Sequence, residues 1–143
     1  MNDMTADEII ARLDLAPHPE GGHYRQTWID DLAEGRPAGT CIYFLLKAEE
    51  RSHWHRVDAV EIWHYYAGAP LLLHLSETDA GPARCITLGP DMANGARPQG
   101  IVPKDWWQGA QTTGDWTLVG CTVSPGFTFD GFELAVPKFD IPS

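Results

Sequence analysis

The sequence predicts an all-β domain, an antiparallel barrel or sandwich, preceded by one short helix. Three observations carry this. Short segments rich in β-branched and aromatic residues recur along the chain, clusters of Gly, Pro, Asp and Asn separate them, and no helix-period segment follows Pro17. Strands without intervening helices point away from a βαβ sheet.

The elements follow in order. Thr5 and Glu8 have the spacing of a capping box, and Ile9, Ile10, Leu13 and Leu15 form an apolar stripe up to Pro17, so a helix is predicted over 5–15. The strand candidates are "HYRQTWI", "TCIYFLLK", "EIWHYYA", "LLLHLS", "RCITL", "DWTLVGCTV" and "FELAV". "EGRPAG", "GAP", "TDAGPA", "PDMANGARPQG" and "SPGFTFDG" read as turns, and the stretch from about Pro90 to Gly100 reads as the most flexible loop.

The 143 residues suffice for one domain, 1–143, with a single core. Ten Lys plus Arg against twenty Asp plus Glu give a formal charge of −10, which disfavours nucleic acid and anionic membrane as partners. Cys41, Cys85 and Cys121 are far apart, odd in number and without a CxxC pair, so no disulfide framework is expected and all three read as small buried hydrophobes. The acidic start "MNDMTADEII" is unlike a signal peptide, no apolar run approaches the roughly 18 residues a span needs, and the expected location is the cytoplasm.

The chemistry concentrates in "RSHWHRVDAVEIWHYYAG", residues 51–68. On a regular strand, side chains two apart share a face about 6.5–7 Å apart, so His53 and His55 are expected to aim at one point and Trp54 to face away. After a turn, Glu61, Trp63 and Tyr65 share a face that can look inward and bring Glu61 to the two histidines. Two imidazoles and a carboxylate suit zinc, iron, manganese, nickel or copper, and hydrogen-bonded strand histidines are the alternative. His64 and His74 lie on strands without a partner pattern and are read as structural.

The order His53-x-His55, Glu61 and Gly68 resembles the first motif of the cupin superfamily, small jelly-roll β-barrels. The resemblance implies that His53, His55 and Glu61 ligate a metal, with a further ligand from a second motif of form Pro-x-Gly-x-x-His. In "VPKDWWQGA" the three places are taken by Pro103, Asp105 and Gln108, which makes Gln108 the fourth candidate ligand. Five residues separate His55 from Glu61 instead of three or four, and Lys47 and Thr112 replace a Gly and an Asn of the motifs. More narrowly, "HPEGGHYRQTW", "TCIYFLL", "SHWHRVDAVEIWHYYAGAPLLLHL", "VPKDWWQGA" and "LVGCTVSPGFTFDGFEL" resemble a small cupin group catalogued as a domain of unknown function and labelled sugar-epimerase-like. This implies a cupin-type jelly-roll barrel over about 20–137 and a homodimer paired through its sheets, with "TCIYFLL" and "HYRQTWI" as edge candidates.

Three functions stand side by side. The first is a small polar molecule, sugar or nucleotide derived, bound beside a divalent metal (zinc, iron, manganese or nickel) held by His53, His55, Glu61 and Gln108, with isomerase or oxygenase chemistry. The second is a metal-free, sugar-nucleotide epimerase-like enzyme in which His55, polarised by Glu61, is the base and Tyr65 or Tyr24 returns the proton. The third is a non-catalytic barrel that only binds its ligand. Tyr24, Arg25, Tyr43, Trp63 and Trp106 are the candidate substrate contacts, weighed against ordinary strand packing and, for the first two, a turn into an edge strand after Gly21 and Gly22.

Overall fold

A computed structural model describes residues 4–30 and 34–143; residues 1–3, the head of the acidic N-terminus, and 31–33 lie outside the described residues. Helix α1 (Ala6–Leu13) is followed by β1 (Ala16–Pro17), β2 (His23–Ile29), β3 (Thr40–Lys47), β4 (Ser52–Val57), β5 (Val60–Gly68) and β6 (Leu71–Ser76). Then come β7 (Arg84–Leu88), β8 (Gln99–Val102), β9 (Trp107–Thr112), β10 (Trp116–Ser124) and β11 (Phe132–Leu134).

The helix starts as its capping box dictates. The Thr5 hydroxyl accepts from the Glu8 amide at 3.2 Å, and the Glu8 carboxylate accepts from the Thr5 amide at 3.0 Å. It ends earlier than expected, because Asp14 takes a left-handed conformation at φ 56° and closes the last turn before Pro17 is reached.

The strands form two antiparallel sheets, in the orders β1-β2-β3-β10-β5-β8 and β11-β4-β9-β6-β7. The sheets face each other, and Phe44, Leu46, Trp63, Leu71, Leu73, Leu88 and Val119 fill the space between them. The helix lays Ile9 on the outer side of the first sheet against Leu45 and Trp116. The C-terminal segment covers the outer side of the second, where Ile141 and Phe139 pack on Trp54 and Trp107.

Three expectations change. The stretch from Pro90 to Gly100 is tied down by a 3-10 turn at Met92–Asn94, by the Gly89 amide donating to the Arg97 carbonyl at 3.0 Å, and by the start of β8. The segment "TCIYFLL" is not an edge, since β3 lies between β2 and β10. Of the three cysteines only Cys121 is buried; Cys41 is half-buried and Cys85 exposed.

Candidate functional site

One end of the space between the sheets is open and holds a cavity of about 220 Å³. Its polar wall is made by His18, Glu20, Tyr24, Gln26, Thr40, His55 and Glu61, and its apolar wall by Ile42, Val57, Val123, Phe127 and Phe129.

The turn "HPEGG" places the first two. The His18 amide donates to the Gly22 carbonyl at 2.9 Å, the Gly21 amide to the His18 carbonyl at 3.0 Å, and the His53 amide to the Glu20 carbonyl at 2.8 Å. Gly21 and Gly22 both have positive φ, 108° and 78°, and a side chain at Gly22 would meet Phe44 Cζ at 2.8 Å and the Leu45 carbonyl oxygen at 2.9 Å. Only glycine fits this turn, so His18 and Glu20 are turned into the cavity mouth by backbone sterics.

Strand β4 supplies His55 but not His53. Ser52 pairs with Ala110 and His55 with Gln108, so three steps along β4 match two along β9. That extra residue is a β-bulge, and it breaks the alternation expected for a regular strand. Ser52 and His55 point inward, whereas both His53 and Trp54 face the C-terminal segment. There the His53 Nε2–H donates to the Val136 carbonyl at 2.8 Å and the Trp54 indole donates to Asp140 Oδ1 at 2.8 Å.

Gln108 is held between two partners. The Trp63 indole, which can only donate, gives its proton to Gln108 Oε1 at 2.7 Å, so the amide must turn its NH₂ to Glu61, where Nε2 donates to Oε1 at 3.0 Å. The Gln108 oxygen is therefore not available at the cavity. With His53 facing away and Gln108 presenting hydrogens, the expected set of His53, His55, Glu61 and Gln108 does not assemble into a metal site. Among the described residues no group of three or more His, Cys, Asp or Glu side chains is arranged to hold an ion.

What does assemble is a carboxyl between two imidazoles. Glu20 Oε1 is 3.5 Å from His18 Nδ1 and 3.5 Å from His55 Nε2. His18 Nδ1 accepts from the Glu20 amide at 3.1 Å, so it carries no proton, and His55 Nδ1 donates to the His53 carbonyl at 2.8 Å, which leaves Nε2 bare. The Ser52 hydroxyl donates to the other oxygen, Glu20 Oε2. A carboxylate facing two nitrogen lone pairs in an apolar enclosure is unfavourable; a carboxylic acid with a proton to share is not.

Burial acts the same way on all four groups. It pushes the Glu20 carboxyl up to about 8 and Glu61 up to about 7, and it pulls His18 down to about 4. Burial also lowers His55, opposed by the nearby Glu61 carboxylate. Near neutral pH the site therefore holds a protonated acid beside bare imidazole nitrogen.

The other sequence candidates divide. Tyr24 lines the cavity, and Trp63 stands behind it through Gln108. Tyr65 spends its hydroxyl on the Gly68 carbonyl at 2.6 Å, and Tyr43 packs on the outer face with the helix cluster. Arg25 is exposed and reaches the Leu13 carbonyl at 3.5 Å, while Trp106 sits under Arg84 at another surface. His64 bonds Thr122 Oγ1 at 2.9 Å, as a structural histidine does.

A family model described as Cupin superfamily (DUF985) matches residues 7–135. The chain belongs to that family. No curated protein matches the sequence. Among solved structures, this cupin is similar to protein SO0799 of Shewanella oneidensis at 43% identity and a TM-score of 0.87, over 92% of this chain and 85% of that one. It is also similar to a hypothetical protein from Leishmania major at 34% identity and a TM-score of 0.83, over 93% of this chain and 88% of that one. Oxalate decarboxylase from Bacillus subtilis matches at 12% identity and a TM-score of 0.64, over 83% of this chain and 29% of that one, which shows the shared fold alone.

Proposed function

We propose that this cupin binds a small polar molecule between its sheets and moves protons on it without a metal. The observation that carries the reading is Glu20 Oε1 at 3.5 Å from two imidazole nitrogens, neither of which bears a hydrogen. The chemistry is an isomerisation next to a carbonyl. His55 Nε2 takes a proton from the carbon beside the carbonyl while Glu20 gives its proton to the carbonyl oxygen, and a neutral enediol results with a Glu20 carboxylate beside a His55 imidazolium. Delivery of the proton to the neighbouring carbon, and return of the hydroxyl proton to Glu20, yields the isomer and resets both groups.

Once ionised, Glu61 favours the imidazolium by its charge. It is held for this by Gln108, itself oriented by Trp63. Tyr24 is the tyrosine placed to meet substrate, in preference to Tyr65. The reading keeps His55 and Glu61 from the sequence expectation and replaces the metal by Glu20. We also propose, from the family resemblance, that the protein works as a homodimer.

The test is solvent exchange. Wild-type protein in D₂O should place deuterium on the carbon beside the carbonyl of a hydroxyketone or hydroxyaldehyde, and Glu20→Gln should lose this by a factor of about 10²–10⁴. Exchange that persists in Glu20→Gln and in His55→Ala would end the reading.

A further inference from the structure

We infer that the cavity takes an uncharged hydroxylated carbonyl compound of a few carbon atoms and refuses carboxylates and phosphates. Three observations converge on this. The first is charge: among the described residues no Lys or Arg lines the cavity, whereas two carboxyls do. Arg36, which bonds the segment before Phe127, is already committed to Asp58 Oδ1 at 2.7 Å and to the Gly126 carbonyl at 2.6 Å. An anion entering would shed its water with no countercharge to receive it, beside groups that are themselves acidic.

The second is the set of unused hydrogen-bonding groups. Among the described residues the Tyr24 hydroxyl and the Gln26 amide, both on the cavity wall, make no side-chain hydrogen bond within the protein. A phenol and a carboxamide are neutral and both donate and accept, which matches hydroxyl and carbonyl oxygens.

The third is size. About 220 Å³ is below the roughly 300–1,000 Å³ of pockets for drug-sized ligands, and Phe127 and Phe129 give the rest of the wall an apolar character. A whole sugar nucleotide does not fit inside, so the sugar- or nucleotide-derived ligand of the sequence expectation narrows to a short polyol aldehyde or ketone. The inference uses the acid–base reading only for what happens after binding.

The experiment titrates the full-length protein with dihydroxyacetone, D-glyceraldehyde, D-glycerate and dihydroxyacetone phosphate, following the imidazole resonances of His18 and His55. The two neutral probes are expected to bind at least about tenfold more tightly than the two anionic ones, and Gln26→Leu and Tyr24→Phe to weaken them. Equal or tighter binding of any charged probe, or no binding of either neutral one, overturns the inference. Neutral binding without deuterium exchange supports this ligand class and defeats the acid–base reading, so the two failures are separable.

Discussion

Glu20 Oε1 and His55 Nε2 face each other at 3.5 Å across the mouth of the cavity, one on a glycine turn and the other on a bulged strand. Both are shielded from water, with side-chain exposures of 9% and 2%. The His53 amide donates to the Glu20 carbonyl at 2.8 Å, so turn and strand are tied together and the pair reports on both at once.

Stability should fall as pH rises from about 6.5 to 8. Glu20 is raised to about 8 and Glu61 to about 7, so both hold protons in the folded state that the unfolded chain has already released. The folded state must lose them as pH rises, at a cost of up to about 1.4 kcal/mol per pH unit for each. His18, lowered to about 4, and His55, also lowered, act oppositely, but only up to the ordinary imidazole range near 6.5. Urea titrations across pH 6.5–8.5 check this, and Glu20→Gln should flatten the slope.

The two histidines of the His-x-His pair should separate cleanly. His55→Ala removes the proposed base and should reduce exchange by about 10²-fold or more. His53→Ala removes only the bond to the Val136 carbonyl, at about 0.5–1.5 kcal/mol, and should leave exchange within about twofold. Steady-state deuterium incorporation and thermal melts on both variants decide it.

Two glycines with similar φ should respond differently to alanine. At Gly22, φ 78°, the new methyl meets Phe44 and the Leu45 carbonyl, so steric cost adds to about 1–2 kcal/mol of backbone strain. At Gly35, φ 79°, nothing lies within 4 Å and only the backbone term remains. Denaturant midpoints should therefore drop further for Gly22→Ala, and His18 and Glu20 should shift with it, seen as lost exchange.

Metal should be dispensable. Protein stripped with a chelator and checked by elemental analysis should exchange deuterium at the rate of untreated protein. Activity restored only by added zinc, iron, manganese or nickel would refute the metal-free site.

Much of the fold is legible in the sequence because local composition decides it. β2, β3, β6 and β7 coincide with the segments "HYRQTWI", "TCIYFLLK", "LLLHLS" and "RCITL". β8 and β9 were not among the strand segments, since "QGIV" and "WQGAQT" carry glycine and glutamine where strand formers are expected. Pairing with β5, and with β4 and β6, makes them strands.

For the site, His55, Glu61 and Tyr24 were legible and His18 and Glu20 were not. Those two lie in a turn, outside any strand period, and their only signal is the pair of glycines that follows. Alternation also cannot show a bulge, because the extra residue is defined by counting against β9, a partner that is absent from the local sequence.

The bulge between Ser52 and His55 means that this cavity's chemical repertoire is a matter of arithmetic along one strand. Restore regular alternation there with His55 held in place, by matching the three steps of β4 with three on β9, and everything before it rotates by half a turn relative to β9, which would swing His53 from the tail-covered side toward Glu61. A protein engineer seeking to convert a proton-transfer pocket into an ion-binding one would therefore add a residue to β9 opposite the bulge before changing any side chain of β4.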